Sequence, residues 1–518
     1  MNGVSEVTES AKSVIHDAMA AKGGRPFYIY DITDEETGEI TATVFDCSKY
    51  SEYLNDYFNI KNFNGVLYIY DKDKQIYKQQ QNEINTHIRD NYVKWGVSKL
   101  LQAWVREINT HIMAMGNESV YPFNTSINTV PVANGVIEFD YDTKIGLDYD
   151  SLSIIKENDG IIRTPDIDFR KHVKLLPHGP EHLFTFKLSV IFDESAKLEP
   201  AFLLLKQWVD NPNSLLQIPA QALLQTQHGH SYKKAHLLQG EPHAGKTSFI
   251  TLLYRVFPQE FTEAIRLQQV CEDRFVGGNL EGKLLNMYDD LEDLPLNTIE
   301  PFKTLTGSCT HGIERKYEKH YTGRITAVHI FSCNYPPEYP DKVKRDSAFW
   351  ERWEYIKFPF SYPVDPNFYE RVFTDKLIAS FFNAIIDSMI RIKKSGLLVK
   401  SEVQDVMLNW SINSDPLFEF ITWGFGANTG TTPNTYSKSK LLKYYINYCN
   451  DHNIPEYKRK SSSLKAFTTA LQPHGFMPQK IRKKDNSYEV YITTTYKSKP
   501  DILQDLDYTT EQMGQKQI

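Results

Sequence analysis

The stretch HLLQGEPHAGKTSFITLLYR, residues 236–255, opens with a short apolar run, turns at a glycine and continues into a helix-like segment. Gly240, Gly245, Lys246 and Thr247 fit the pattern G-x-x-x-x-G-K-[ST]. In that pattern the glycines let backbone N–H groups turn inward toward phosphate oxygens, the lysine reaches the β- and γ-phosphates, and the hydroxyl ligates Mg²⁺. A helix opening there adds its positive N-terminal end. The whole turn is expected to cradle ATP with Mg²⁺: Gly240, Glu241, Pro242, His243, Ala244, Gly245, Lys246, Thr247 and Ser248. A chance glycine turn is the plainer alternative, but a strand before and a helix after are the context the pattern requires.

Around this stretch, from about 232 to 360, apolar strands alternate with helices and loops, which points to an α/β nucleotide-binding core. The 518 residues, 41% hydrophobic and 24% charged, suit a globular chain of about three domains. A net charge of −7 excludes a protein coated in positive charge but leaves room for a local basic patch. Five scattered cysteines give no disulfide framework and no zinc spacing. No apolar run reaches the roughly 18 residues of a membrane span, so no membrane partner is expected and the localisation reads as cytoplasmic, the interior of a host cell. The expected organisation is an α+β accessory region at 1–125, an accessory and helical collar region at 126–225, the core at 226–400, a linker at 401–435, a winged-helix-like module at 436–496 and a polar tail at 497–518.

Downstream, GKLLNMYDDLEDLP carries an apolar strand ending in Asp289 and Asp290. Open α/β sheets place ligands at such strand ends. One carboxylate, Asp289, would complete the Mg²⁺ shell with Thr247, and the other would polarise the attacking water. A solvated acidic turn is the bland reading. A further apolar strand, 325–332, leads to Asn334, whose amide can orient water near a γ-phosphate; a turn-forming Asn before prolines is the alternative. Then KRDSAFWERWEYIKF offers Arg345 and Arg352, each either an arginine finger acting across a subunit boundary or a surface salt-bridge partner.

This order of phosphate loop, acidic strand, basic hairpin, Asn-ended strand and arginine resembles the superfamily 3 helicases of viruses, phages and plasmids, most of all the poxvirus- and phage-type primase-helicase branch. The phrases DRFVGGNLEGKLLNMYDDL, PFKTLTGSCTHGIERKYEKHYTGR, FSCNYPP and AFWERWEYIKF carry the likeness, with NGVIEFD and HLFTFKLSVIFDESAKLEPAFLLLKQWV upstream. The resemblance covers roughly residues 130–360. It implies an AAA+-like P-loop ATPase fold and a homohexameric ring that translocates along DNA from 3′ to 5′. Lys246, Asp289, Asp290, Asn334 and Arg352 would be its catalytic set, with Arg352 preferred over Arg345 and with Lys233 and Lys303 as further contacts between subunits. Ser308-Cys309-Thr310-His311 departs from the acidic residue that many relatives carry.

The segment IERKYEKHYTGR reads as two short strands around a basic turn, with Lys316, Lys319 and His320 expected on DNA phosphates. Toward the C-terminus, an amphipathic helix, a second helix and a hairpin suggest a winged helix. From Pro433 to Pro500 there are 13 basic and 4 acidic residues, a balance of +9. Lys458, Arg459, Lys460, Lys465, Arg482 and Lys483 are the candidate contacts there, although such a module can instead dock protein. The leading expectation is an ATP-driven helicase on single-stranded and forked DNA. The alternatives are a DNA-binding ATPase switch that initiates replication or loads other factors, and a structural or defence ring. No paired-carboxylate and His arrangement in the first ~130 residues suggests a primase, so a separate primase or polymerase is the expected partner.

Overall fold

The computed structural model describes residues 28–80, 82–94, 102–118, 121–141, 152–157, 160–165, 169–229, 231–292, 294–314, 321–339, 343, 346–426, 429–452, 454, 456–459, 463–482, 488–496, 498–499 and 503. At its centre lies a five-stranded sheet built from β1 (Ala235–Gly240), β2 (Thr262–Glu263), β3 (Leu285–Tyr288), β4 (Val328–Cys333) and β5 (Trp353–Phe358). The order is β2-β3-β4-β1-β5, and every neighbouring pair runs parallel. A parallel sheet must be covered on both faces, and its strands read as continuous apolar runs. The alternation along β4 shows the two coverings: Val328 and Ile330 enter one core, Phe331 and Cys333 the other.

The first core spans far more than the nucleotide-binding segment. It joins the sheet to the hairpin Thr129–Val132/Gly135–Phe139 and to four helices, α1 (Glu199–Trp208), α2 (Asn213–His228), α3 (Lys246–Val256) and α4 (Asp375–Ser395). Leu205, Leu216, Phe249, Leu253, Ile385 and Met389 are all within it and essentially inaccessible. The expected boundary at residue 226 therefore falls inside one continuous core. Burying these side chains is worth about 1.5–3 kcal/mol each, so this part of the accessory region is integral to the fold.

The second core contains Leu237, Phe302, Trp350 and Trp353, and it takes in Val406 and Trp410. Those last two lie in the helix Val403–Ser414, which is followed by the helix Pro416–Phe425 and the strand Thr429–Ser437. The described residues of the stretch 401–435, expected as a linker, are thus folded. Trp410 is fully buried against Trp353, with ring centroids 5.0 Å apart, and donates its indole N–H to the Pro337 carbonyl at 2.8 Å. Gly, Asn and Thr gave the segment a loop-like composition, but threonine is β-branched and is at home in a strand.

Two smaller units flank this body. Toward the N-terminus, Ile29–Thr33 pairs with Ile40–Phe45, and Val66–Asp71 pairs antiparallel with Ile76–Gln79. Toward the C-terminus, helices Lys438–Asp451 and Leu464–Leu471 pack with a three-stranded antiparallel sheet of Thr429–Ser437, Met477–Arg482 and Tyr488–Tyr496. Among the described residues no helix is long and apolar enough to cross a membrane.

Candidate nucleotide-binding site

Because the strands run parallel, the C-terminal ends of β1, β3 and β4 share one edge of the sheet, and the sequence-derived groups meet there. The turn after β1 takes positive φ at His243 (64°) and Gly245 (99°). A Cβ on Gly245 would sit 2.5 Å from Trp208 Cδ1, and one on Gly240 would sit 2.5 Å from the Phe358 carbonyl oxygen. Both glycines are therefore demanded by close approach, the first also by its left-handed backbone. No side chain caps α3, so its first-turn N–H groups are left for a ligand. Thr247 is exposed at this end.

Lys246 is buried, 7% exposed. Its ammonium donates to the Gly240 carbonyl at 2.6 Å, the Glu241 carbonyl at 2.9 Å and Asn334 Oδ1 at 2.8 Å. Burial pulls its pKa below the ordinary lysine value, opposed by Cys333, Asp289, Asp290 and Glu241 nearby. Asn334 is held in turn, its carbonyl accepting from Gln239 Nε2 at 3.1 Å. On the neighbouring strand, Ser332 Oγ–H donates to the Asp289 carboxylate. The same hydroxyl oxygen accepts from the Asp290 N–H at 2.9 Å, with Asp290 at φ 57°. The structure thus brings Lys246, Asp289, Asp290 and Asn334 together. Ser332 and Trp208 were missed by sequence reasoning. A serine inside the apolar run of β4 was the available signal, but its role depends on β3 lying beside β4.

Arg352 is elsewhere. It precedes β5, where Trp353 pairs with Ala235 and Phe358 with Gly240, and its carbonyl accepts from the Ala235 N–H at 2.7 Å. At ~3.3 Å per residue, that places it about 17 Å along the strands from the phosphate loop of its own chain. Its Nε has no hydrogen-bond partner among the described residues. Lys303 is engaged locally, 2.7 Å from Asp346 and 3.0 Å from Glu300, pairings that raise its pKa, the Asp346 hydrogen bond most. Arg345 lies outside the described residues.

The basic hairpin is present in its strands: Thr310–Ile313 pairs antiparallel with Tyr321–Arg324, Ile313 opposite Tyr321. Lys316, Lys319 and His320, on the turn between, lie outside the described residues, as do Lys460 and Lys483. Arg482 ends its strand. Lys465 is exposed on the first turn of its helix. Arg459 is occupied within the module, donating to the Ile454 carbonyl at 2.9 Å and to Asn450 Oδ1 at 2.8 Å. Lys458 sits 4.0 Å from the centroid of the Tyr335 ring, next to Asn334.

Fold and site together define a mixed α/β protein with a five-stranded parallel sheet and a phosphate-loop-like turn at its carboxyl edge. A family of unknown function, DUF5906, matches residues 238–352, which include this turn, both carboxylates, Asn334 and Arg352. No curated protein matches the chain. Among solved structures, the chain is similar to the A form apo structure of the NrS-1 C-terminal region, at 11% identity and TM-score 0.41, covering 86% of this chain and 98% of that one. Two further apo structures of that region (residues 305–718), one of them again the A form, are similar at 12% identity with TM-scores of 0.38 and 0.39, with the same coverage.

Proposed function

We propose that the protein is an ATP-dependent ring helicase that translocates on single-stranded DNA and opens duplex during replication of a virus, phage or mobile element. The observation that carries the ATPase part is the contact of Lys246 with Asn334, beside Asp289 and Asp290, whose carboxylate and backbone N–H respectively are bonded to Ser332. Lys246 and the free N–H groups of α3 hold the phosphates. Thr247 and Asp289 fit a Mg²⁺ ion, which needs only one or two protein ligands beside phosphate oxygens and supplies charge neutralisation when bound. Asp290 takes the proton of the attacking water, and Asn334 orients that water. Arg352 cannot reach its own loop, which supports a finger role toward the next subunit of a homohexamer. The basic turn at Lys316, Lys319 and His320 then faces the DNA strand, with Lys465 and Arg482 as further contacts. A separate primase or polymerase supplies primers.

A second reading, a DNA-binding ATPase switch that initiates or loads without processive unwinding, draws support from Lys458. That side chain ties the basic C-terminal module to Tyr335, beside the site, so DNA on the module would bear on hydrolysis. The deciding experiment is ATP-dependent strand displacement on a forked duplex, wild type beside Lys246→Ala and Lys319→Ala. Unwinding by the wild type alone, with Lys319→Ala still forming rings, supports the helicase. Robust DNA-stimulated hydrolysis without opening of any fork supports the switch. Absence of nucleotide hydrolysis under all conditions refutes both.

A further inference from the structure

The phosphate loop has two flanks, since β1 lies between β4 and β5. The groups suited to chemistry, Asn334 and the carboxylates, all lie on the β4 flank. A triphosphate on the loop with its γ end at Lys246 and Asn334 therefore leaves its α end, sugar and base directed to the β5 flank. There, the chain that follows β5 crosses the loop as a strap. Ser361 Oγ donates to the Pro242 carbonyl at 3.0 Å, the Tyr362 N–H to the His243 carbonyl at 3.1 Å, and the Tyr362 hydroxyl to the Gln207 carbonyl. Between strap and loop lies a cleft of about 540 Å³, continuous with Gly245, Lys246, Thr247 and Ser248. That is within the size range of small-molecule sites, which are mostly apolar with a few polar groups.

The strap's side of the cleft is formed by Tyr362, Pro363, Val364, Pro366, Phe368 and Tyr369. Three of these apolar groups are conspicuously open to water, with Tyr362 39%, Val364 73% and Tyr369 42% exposed. The charged pair at the rim, Asp365 and Arg371, is already joined at 2.6 Å.

Resting on the reading that the loop binds a nucleoside triphosphate, we propose that the strap, residues 361–371, is the subsite for its base and sugar. The base is held there by ring and prolyl faces and not by reading of its edge. Every base has a π-face, so ATP and GTP bind with affinities within about tenfold of each other.

The test is calorimetric titration of the full chain with ATP, GTP and inorganic tripolyphosphate in Mg²⁺ buffer, for wild type, Tyr369→Ala, Val364→Asp and Lys246→Ala. Tyr369 and Val364 are exposed, and unchanged melting temperatures exclude misfolding. The expected result is that Tyr369→Ala weakens ATP and GTP about tenfold, the scale of one base–aromatic stack, while tripolyphosphate is unaffected, and that Val364→Asp weakens ATP and GTP by clearly more than the electrostatic loss it causes for tripolyphosphate. Lys246→Ala weakens all three. If ATP binds more tightly than tripolyphosphate yet neither strap variant changes it, the base lies elsewhere and the subsite is refuted while the phosphate reading stands. A hundredfold preference for ATP over GTP overturns the claim of facial recognition. If the wild type binds none of the three, the phosphate reading falls and the subsite with it.

Discussion

Replacing Ser332 with alanine tests the geometry of the site without touching any group proposed to meet substrate. The hydroxyl is fully buried, donates to the Asp289 carboxylate and accepts the Asp290 N–H at 2.9 Å. The Asp290 N–H keeps a second acceptor, Asp289 Oδ1 at 3.1 Å, so the main loss is one hydrogen bond to a charged group, about 1.5–3 kcal/mol. Because the Asp289 carboxylate and the Asp290 backbone N–H both hang on this atom, the cost should fall on the placement of these two residues. Residues that orient metal-binding or catalytic side chains are typically worth about 10–100-fold. Ser332→Ala should therefore lower kcat for ATP hydrolysis by roughly that factor and raise the Mg²⁺ concentration at half-activity. KM for ATP should move less than about twofold, because Lys246 and the loop are unchanged. Steady-state ATPase assays across a Mg²⁺ series, beside Asp289→Asn, provide the measurement. Wild-type kcat with an unshifted Mg²⁺ response would refute the argument that Ser332 sets Asp289 and the backbone of Asp290.

Further outcomes follow from the same structure. In mixtures of Arg352→Ala and Lys246→Ala protomers, each inactive alone, ATPase activity should reappear at up to about a quarter of the wild-type level, as expected for sites shared between subunits; no recovery in mixed rings would mean that Arg352 is no finger. Lys234 Nζ lies 2.7 Å from Glu354 Oε1, and Glu354 is 1% exposed. Glu354→Ala leaves the half-buried lysine with only the Trp353 carbonyl at 3.2 Å and strands the Ser401 N–H that the carboxylate accepts at 2.6 Å, and should cost about 1.5–3 kcal/mol in urea denaturation; a loss below ~0.5 kcal/mol would show that the site relaxes freely. Burial lowers the pKa of His236 to about 3 and that of His329 to about 4. The unfolded chain, with histidines near 6.5, binds protons first, so stability is full above pH ~6.5 and declines toward pH 4 and 3. At pH 5 each should have cost about 2 kcal/mol, and His236→Gln should melt with a shallower pH dependence between 7 and 5; an unchanged slope contradicts this.

What the sequence disclosed was local. The glycines at 240 and 245 are read from spacing, and the structure supplies their reason in the Phe358 carbonyl and the Trp208 indole. The hairpins at 66–79 and 129–139 follow from alternation and turn residues. The illegible features depend on which elements become neighbours. Ser332 orients Asp289 only because β4 pairs with β3. Trp410 anchors a segment of loop-like composition only because Trp353 and Pro337 lie opposite it. The relation of the strap at 361–371 to the phosphate loop comes from three long-range hydrogen bonds. Of the expected DNA contacts, Arg459 and Lys458 stand out in the sequence by charge alone, which does not reveal that their cations are used within the fold.

The separation of Lys246 and Arg352 to opposite edges of one sheet has a kinetic consequence. With Arg352 as the finger, a solitary chain carries two halves of different sites and completes neither. Turnover per chain then falls on dilution, with a steepness set by the assembly equilibrium. A newly made copy would then idle until enough neighbours accumulate, and the nucleotide would be spared until an assembly could use it. Copy number alone would act as the starting signal.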